Sequence, residues 1–175
     1  MAHQLTISRL DGSVTERDAF VAAMGAVAGS VTVVTTDGPG GRFGQTVSSF
    51  CSVSADPAQI LVCLNMRSPI CSALEINRSF SVNVLSEGQS HIADAFAGRP
   101  RAGVPYDFES INWSSDTNGS PLIDGATATF SCTLDSRIPG GTHFMYLGGV
   151  VAASRTEESP LVYRSRKYGR HTAFV

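Results

Sequence analysis

No apolar run in this chain reaches the roughly 18–20 residues that a membrane-spanning helix requires. The opening MAHQLTISRLDGS lacks both the charged start and the apolar centre of a secretory signal. Charge is scarce as well: 16% of the 175 residues are Asp, Glu, Lys or Arg, against 42% hydrophobic. That balance excludes a disordered chain and supports one ordered domain over 1–175, with 1–14 as a mobile N-terminal segment. A formal charge of −2 leaves no footprint for nucleic acid, because the basic residues are scattered apart from Arg164, Arg166, Lys167 and Arg170. The shortage of charge also suggests that another subunit covers part of the surface. A cytoplasmic protein that engages neither membrane nor nucleic acid is the expectation.

Metal-ligand spacing is missing too. Cys51, Cys63, Cys71 and Cys132 form no C-x-x-C pair and no cluster with histidine, so no zinc site is expected. Three of the four lie in or beside apolar runs, where cysteine behaves as a small hydrophobe, and all four read as reduced structural thiols. There is no internal repeat, low-complexity segment or linker.

What is present reads mainly as strand. Thr15-Glu16-Arg17-Asp18 forms a capping box, followed by Phe20, Val21, Met24, Val27 and Ala28 at helical spacing, with Gly29 as the stop. Ser30 to Thr36 is β-branched and must be a strand. Gly44 to Ala55 reads as a second strand with a turn at Asp56-Pro57, and Gln59 to Asn65 as a third. Ser68-Pro69 opens a short helix, Ser as cap and Pro at the first helical position. Ser79 to Leu85 alternates as a half-buried strand. Ser86 to Gln89 is another capping box, before a helix carrying Ile92, Ala95 and Phe96 on one face. The polar stretch from Gly98 to Gly119 is anchored by Phe108, Ile111 and Trp113. Two long strands follow, Ala126 to Ser136 and Phe144 to Ser154, joined through Arg137 to His143. Leu161 to Tyr163 is a short last strand before a basic, aromatic tail. About six or seven strands with few helices predict a mainly β fold, an antiparallel sheet closed into a barrel.

The glycines after the first strand (Gly38, Gly40, Gly41 and Gly44) do not make a dinucleotide fingerprint. From Gly38 the pattern would require glycine at Phe43, and strand follows where a helix should hold the pyrophosphate. They read as a hairpin loop.

The densest chemistry lies between Gly44 and Pro69, where hydroxyl residues crowd strand ends that a core alone would not need to make so polar. The runs GQTVSSFCSVSADP, LVCLNMRSP, FSVNVLSEGQSHIADAFAG, GGTH and PLVYRSRKYG, in this order from about Phe20 to Tyr168, together resemble the short-chain flavin reductases. These are the reductase components of two-component flavin-dependent monooxygenases. The resemblance implies an FMN-binding split β-barrel, usually a homodimer, that uses NADH or NADPH to reduce FMN or FAD. The reduced flavin would then diffuse to a partner monooxygenase.

Under that resemblance the residues take roles. Thr46, Val47, Ser48 and Ser49 offer N–H groups and hydroxyls to the polar edge of the isoalloxazine, where such donors favour reduction. An ordinary strand with a solvated face is the competing reading. Ser52 resembles a position that the family keeps polar near the cofactor. Asn65, Arg67, Ser68 and Pro69 stand where a strand meets a helix N-terminus, a natural phosphate site, although Ser68 as a simple cap and Arg67 as a solvated cation remain open. Phe96, Ala97 and Gly98 border the flavin or its adenylate in the family, or serve as core anchor and helix stop. His143 follows Gly-Gly-Thr, where the family often has Gly-Asp-His, and is expected to position the nicotinamide. Tyr168, beside Arg166 and Lys167, resembles the tail that closes over the flavin. No metal is implied. A flavin-bound reductase of ferric iron or a cobalt corrinoid, and a non-catalytic flavin-binding module, are the rival readings. FMN and FAD are not distinguished by the sequence, nor are NADH and NADPH.

Overall fold

A computed structural model describes residues 16–174; the mobile segment expected over 1–14, with His3, and the Thr15 end of the first capping box lie outside them. In chain order the elements begin with α1 (Glu16–Gly25), β1 (Gly29–Ser30), β2 (Thr32–Thr36), β3 (Phe43–Val47), β4 (Phe50–Ala55) and β5 (Ala58–Asn65). Next come α2 (Ile70–Asn77), β6 (Ser79–Val84), α3 (Ser90–Phe96), β7 (Trp113–Ser115) and β8 (Pro121–Ile123). The last are β9 (Ala128–Gly140), β10 (His143–Arg155), β11 (Leu161–Arg164) and β12 (Lys167–Arg170).

The expected barrel is there. Seven strands form one antiparallel sheet in the order β3-β2-β6-β9-β10-β5-β4. The segment expected to be one strand from Gly44 to Ala55 is two strands, β3 and β4, at opposite edges of that sheet. Only Ser48 and Ser49 separate them, so the sheet has to curl until its edges meet. At the junction the Ser49 carbonyl accepts the Cys63 N–H at 3.0 Å. That bond ties the link to β5; β3 and β4 do not pair with each other, and the barrel stays split.

Two cores flank β2, which explains a strand with no polar alternation. Val34 faces a cluster with Val62, Leu64, Phe80, Val82 and Tyr146, closed by Ile70 and Leu74 of α2. Val33 joins Leu85, Ile92, Phe96, Phe108 and Ile123 in a second cluster. Both faces of β2 are therefore buried, and its threonines bond to main-chain oxygens: Thr32 to Val47, Thr35 to Pro121 and Thr36 to Ser79.

Several local expectations change. β6 is fully buried rather than half-buried, because the β7–β8 hairpin covers its polar side. Asn83 donates to the Val33 carbonyl and the Thr35 hydroxyl, each at 3.1 Å, and accepts the Ile123 N–H at 2.8 Å. The first strand breaks at Val31, which pairs outside the sheet with Leu161 and Leu85. The linker expected at Arg137 to His143 is mostly strand, with its turn at Gly141-Thr142. The tail carries a further strand, β12, paired to β11. The capping box at Ser86 forms as expected, Gln89 Oε1 accepting the Ser86 N–H at 3.0 Å. α1 buries none of its residues, and Phe20 and Met24 are 66% and 52% exposed. The cysteines are free thiols; burial pushes Cys132 up to about 12. No described helix is long and apolar enough to cross a membrane.

Replacing Asn83 by Ala strands a main-chain donor and acceptors that water cannot reach. The expected loss is about 2–3 kcal/mol of stability, read from urea unfolding; a loss below about 0.5 kcal/mol would show that the hairpin docks without it.

Candidate functional site

β3 is an edge strand, paired to β2 alone, so its outer side carries N–H and C=O groups that no strand satisfies. Its path is fixed by close packing. Gly44 lies against the Phe96 ring, where a Cβ would come within 2.6 Å of it. Gln45 and Thr46 tie the strand to α3: Gln45 Nε2 donates to the Phe96 carbonyl at 3.3 Å, and the Thr46 hydroxyl to the Ala93 carbonyl at 2.8 Å. The Thr46 hydroxyl is thereby engaged, and what Thr46 presents outward is main chain. Ser48 and Ser49 are exposed, and their hydroxyls make no hydrogen bond to the described residues.

Three clefts run along this edge and share its residues. The central one, of about 280 Å³, is lined by Gln45 to Ser49 with Cys63, Asn65 and His143. His143 opens β10 directly opposite Asn65 of β5, which carries it to the split, and Thr142 Oγ1 lies 2.9 Å from its Nδ1. Burial and the neighbouring Cys51 push the Cys63 thiol up, so it stands in the cleft as a neutral thiol.

At one end a cleft of about 510 Å³ is lined by Asn65, Arg67, Ser68, Pro69, Gln45 and Arg42, among others. Here the loop is folded by Asn65, whose Oδ1 accepts the Arg67 N–H at 3.0 Å. Ser68 does not cap α2 with its side chain, as its residue type suggested. Its hydroxyl turns to Gln45 Oε1 at 2.8 Å, while its carbonyl takes the Cys71 N–H. Gln45 thus links α3, β3 and the α2 entry across the cleft.

At the other end a cleft of about 490 Å³ lies between the 97–106 loop and the β11–β12 hairpin, floored by Thr46, Val47 and Ser48. Ala97, Arg99 and Arg101 line one wall; Tyr163, Arg166 and Tyr168 line the other. The hairpin turns at Ser165 and Arg166, both in the left-handed region. Burial and Asp94, which accepts the Tyr168 hydroxyl at 2.7 Å, push the Tyr168 phenol well above its ordinary range and keep it a donor.

The structure therefore brings Thr46 to Ser49, Asn65, Arg67, Ser68, Pro69, Ala97, Tyr168 and His143 to one surface. Three expected residues are not there. Ser52 sits on β4, beyond the Ser48-Ser49 link, and lines none of these clefts. Phe96 is fully buried, its ring 4.8 Å from Phe108. Gly98, at φ 74°, ends α3 against Tyr106 rather than facing the cleft. Gln45, Asp94, Arg99, Arg101 and Tyr163 were not anticipated; Gln45, Asp94 and Tyr163 sat within the quoted runs, but their roles depend on contacts that fold together residues distant in sequence. Among the described residues no group of three or more His, Cys, Asp or Glu could hold a metal.

An antiparallel split barrel with an open, arginine-flanked cleft along a free strand edge offers a place for an anionic ligand with a polar rim. The model of the flavin reductase like domain matches residues 24–172, and the chain belongs to that family. The FMN reductase (NADH) RutF of Stutzerimonas stutzeri (strain A1501) is 35% identical over 164 residues, spanning 93% of this chain and 92% of the relative. The structure resembles BorF, the flavin reductase component of a bacterial two-component tryptophan halogenase, with a TM-score of 0.79 and 33% identity over 89% of this chain and 98% of that one. It is also similar to the NADH:FAD oxidoreductase SgcE6 of Streptomyces globisporus C-1027 in complex with NAD and FAD fragments. There the TM-score is 0.82, with 29% identity over 92% of this chain and 97% of that one.

Proposed function

We propose that this chain is an NAD(P)H:flavin oxidoreductase that supplies reduced flavin to a partner monooxygenase. The observation that carries this reading is the meeting of the Thr46–Ser49 edge, the Asn65–Ser68 loop and His143 in one open groove of a family member. Relatives named for FMN and NADH make those the first pair to test.

The residues suit the ligand. The free β3 edge and the Ser48 and Ser49 hydroxyls offer donors along a line, as the polar rim of an isoalloxazine requires. Asn65 and Ser68 order the loop, and Arg67, whose side chain has no partner among the described residues, supplies charge for a phosphate. Bound flavin supplies N5, which accepts a hydride from C4 of the reduced nicotinamide. His143 stands at the cleft mouth, where it orients the nicotinamide; Thr142 fixes its ring through Nδ1. The protein's part is alignment, and no side chain need form a covalent bond. Because the groove is open along its length, reduced flavin can leave for an oxygenase.

The reading also makes the chain a cytoplasmic homodimer, since reduced nicotinamide is a cytoplasmic reductant and α1 presents Phe20, Val21 and Met24 to solvent, with Val27 just after it, beside a groove lined by Phe50, Leu61 and Tyr163. Light scattering should give a dimer, and Phe20→Glu with Met24→Glu should dissociate it. A monomeric wild type would refute the assembly.

Adding NADH to the protein with excess FMN should bleach flavin absorbance catalytically. His143→Ala should lower kcat about 10- to 100-fold and leave FMN affinity within about twofold. Absence of bleaching with either nicotinamide and either flavin would refute the activity. Tight flavin without turnover would favour a binding module instead.

A further inference from the structure

Asp94 is the carboxylate among the residues lining the cleft between the 97–106 loop and the C-terminal hairpin. Its side chain is 18% exposed, and both oxygens are engaged. Oδ1 accepts the Tyr168 hydroxyl at 2.7 Å, from a residue 74 positions away, and Oδ2 lies 3.2 Å from Arg101 Nε. Its carbonyl accepts the Arg99 N–H at 2.9 Å. The helix carrying it also holds β3, through Ala93 and Thr46. One residue thus joins both walls of the cleft to the element that anchors its floor.

The charge pattern makes this placement informative. Arg99 and Arg166 line the same cleft without an ion pair among the described residues. A carboxylate there weakens the cleft's attraction for an anion, so electrostatics alone gives it no reason to be present. Geometry does.

We propose that Asp94 is a positioning residue that sets the spacing of the two walls, through Tyr168 on one side and Arg101 on the other. Flavin nucleotide affinity follows from that spacing, and the hydride-transfer step does not. The proposal rests on the flavin reading above. The Tyr168 ring, packed 5.4 Å from Tyr163, is held as a wall by its hydroxyl.

The two explanations differ in sign, and an FMN titration followed by flavin fluorescence separates them. If Asp94 is a brace, Asp94→Ala, which removes both acceptor oxygens, and Tyr168→Phe each weaken FMN binding about three- to tenfold, while Asp94→Asn, which keeps Oδ1, weakens it less and does not tighten it. The double variant, Asp94→Ala with Tyr168→Phe, is then no weaker than about the worse single one. In turnover, KM for flavin rises with kcat within about twofold. If Asp94 acts by charge alone, Asp94→Asn tightens binding and Tyr168→Phe changes nothing, which overturns the proposal. A lowered thermal midpoint with unaltered affinity below it also overturns the proposal. Wild type that binds neither FMN nor FAD would bring down the flavin reading and this proposal with it. Wild type that binds, with variants indistinguishable from it, brings down the brace alone.

Discussion

The structure turns on one covalent constraint. Ser48 and Ser49 connect the two edge strands of a seven-stranded sheet, so the sheet must curl and its edges must come together. A two-residue link could close a hairpin, but β3 pairs with β2 and β4 with β5 instead; the two edge strands stay unpaired with each other, and the link itself is tied to β5 by the Ser49–Cys63 hydrogen bond. The result is a strand edge with free main-chain groups, placed beside β5 and the start of β10. In most sheets such an edge is a hazard to be covered. Here it is the floor of the groove, and the groups it leaves unsatisfied are the ones that a flat polar-rimmed ring can use.

Buried polar side chains keep that edge in place. Asn83 and the β2 threonines let two cores pack on either face of the same strand, since each buried hydroxyl or amide finds a carbonyl or N–H. Gln45 and Thr46 then fasten the next strand to α3, and Gly44 allows the approach. The groove is therefore as rigid as the helix behind it. Its walls, by contrast, are a loop and a hairpin joined to that helix through Asp94.

Much of this was legible in the residues. The antiparallel barrel follows from the strand patterns, whereas its split and the singling out of Thr46 to Ser49, Asn65 to Ser68 and His143 rested on the resemblance to the flavin reductases. Ser52 was placed near the cofactor by the resemblance alone; the break at Ser48-Ser49 puts it on a separate strand, β4, where it lines none of the three clefts. For Phe96 and Gly98 two readings were open, a flavin border or a core anchor and helix stop, and the structure places Phe96 in the second core with Gly98 ending α3. β6 looked half-buried because Ser81 and Asn83 alternate with valines, yet the hairpin of 113–123, half of it in the polar 98–119 stretch, covers that side. Asp94 and Gln45 lay inside conspicuous runs, but nothing local marked their roles: Asp94 meets Tyr168 74 residues away, and Gln45 meets Phe96 and Ser68, 51 and 23 residues away.

The central claim is that the flavin ring lies along the free edge of β3. Amide hydrogen exchange with and without FMN tests it most directly, since groups that only a ligand satisfies exchange freely until it binds. The account predicts slowed exchange concentrated at 45–49, 65–69 and 143, with β4 beyond Ser52 unchanged. Protection centred on β4, or on the groove beneath α1, with 45–49 unaffected, would contradict it.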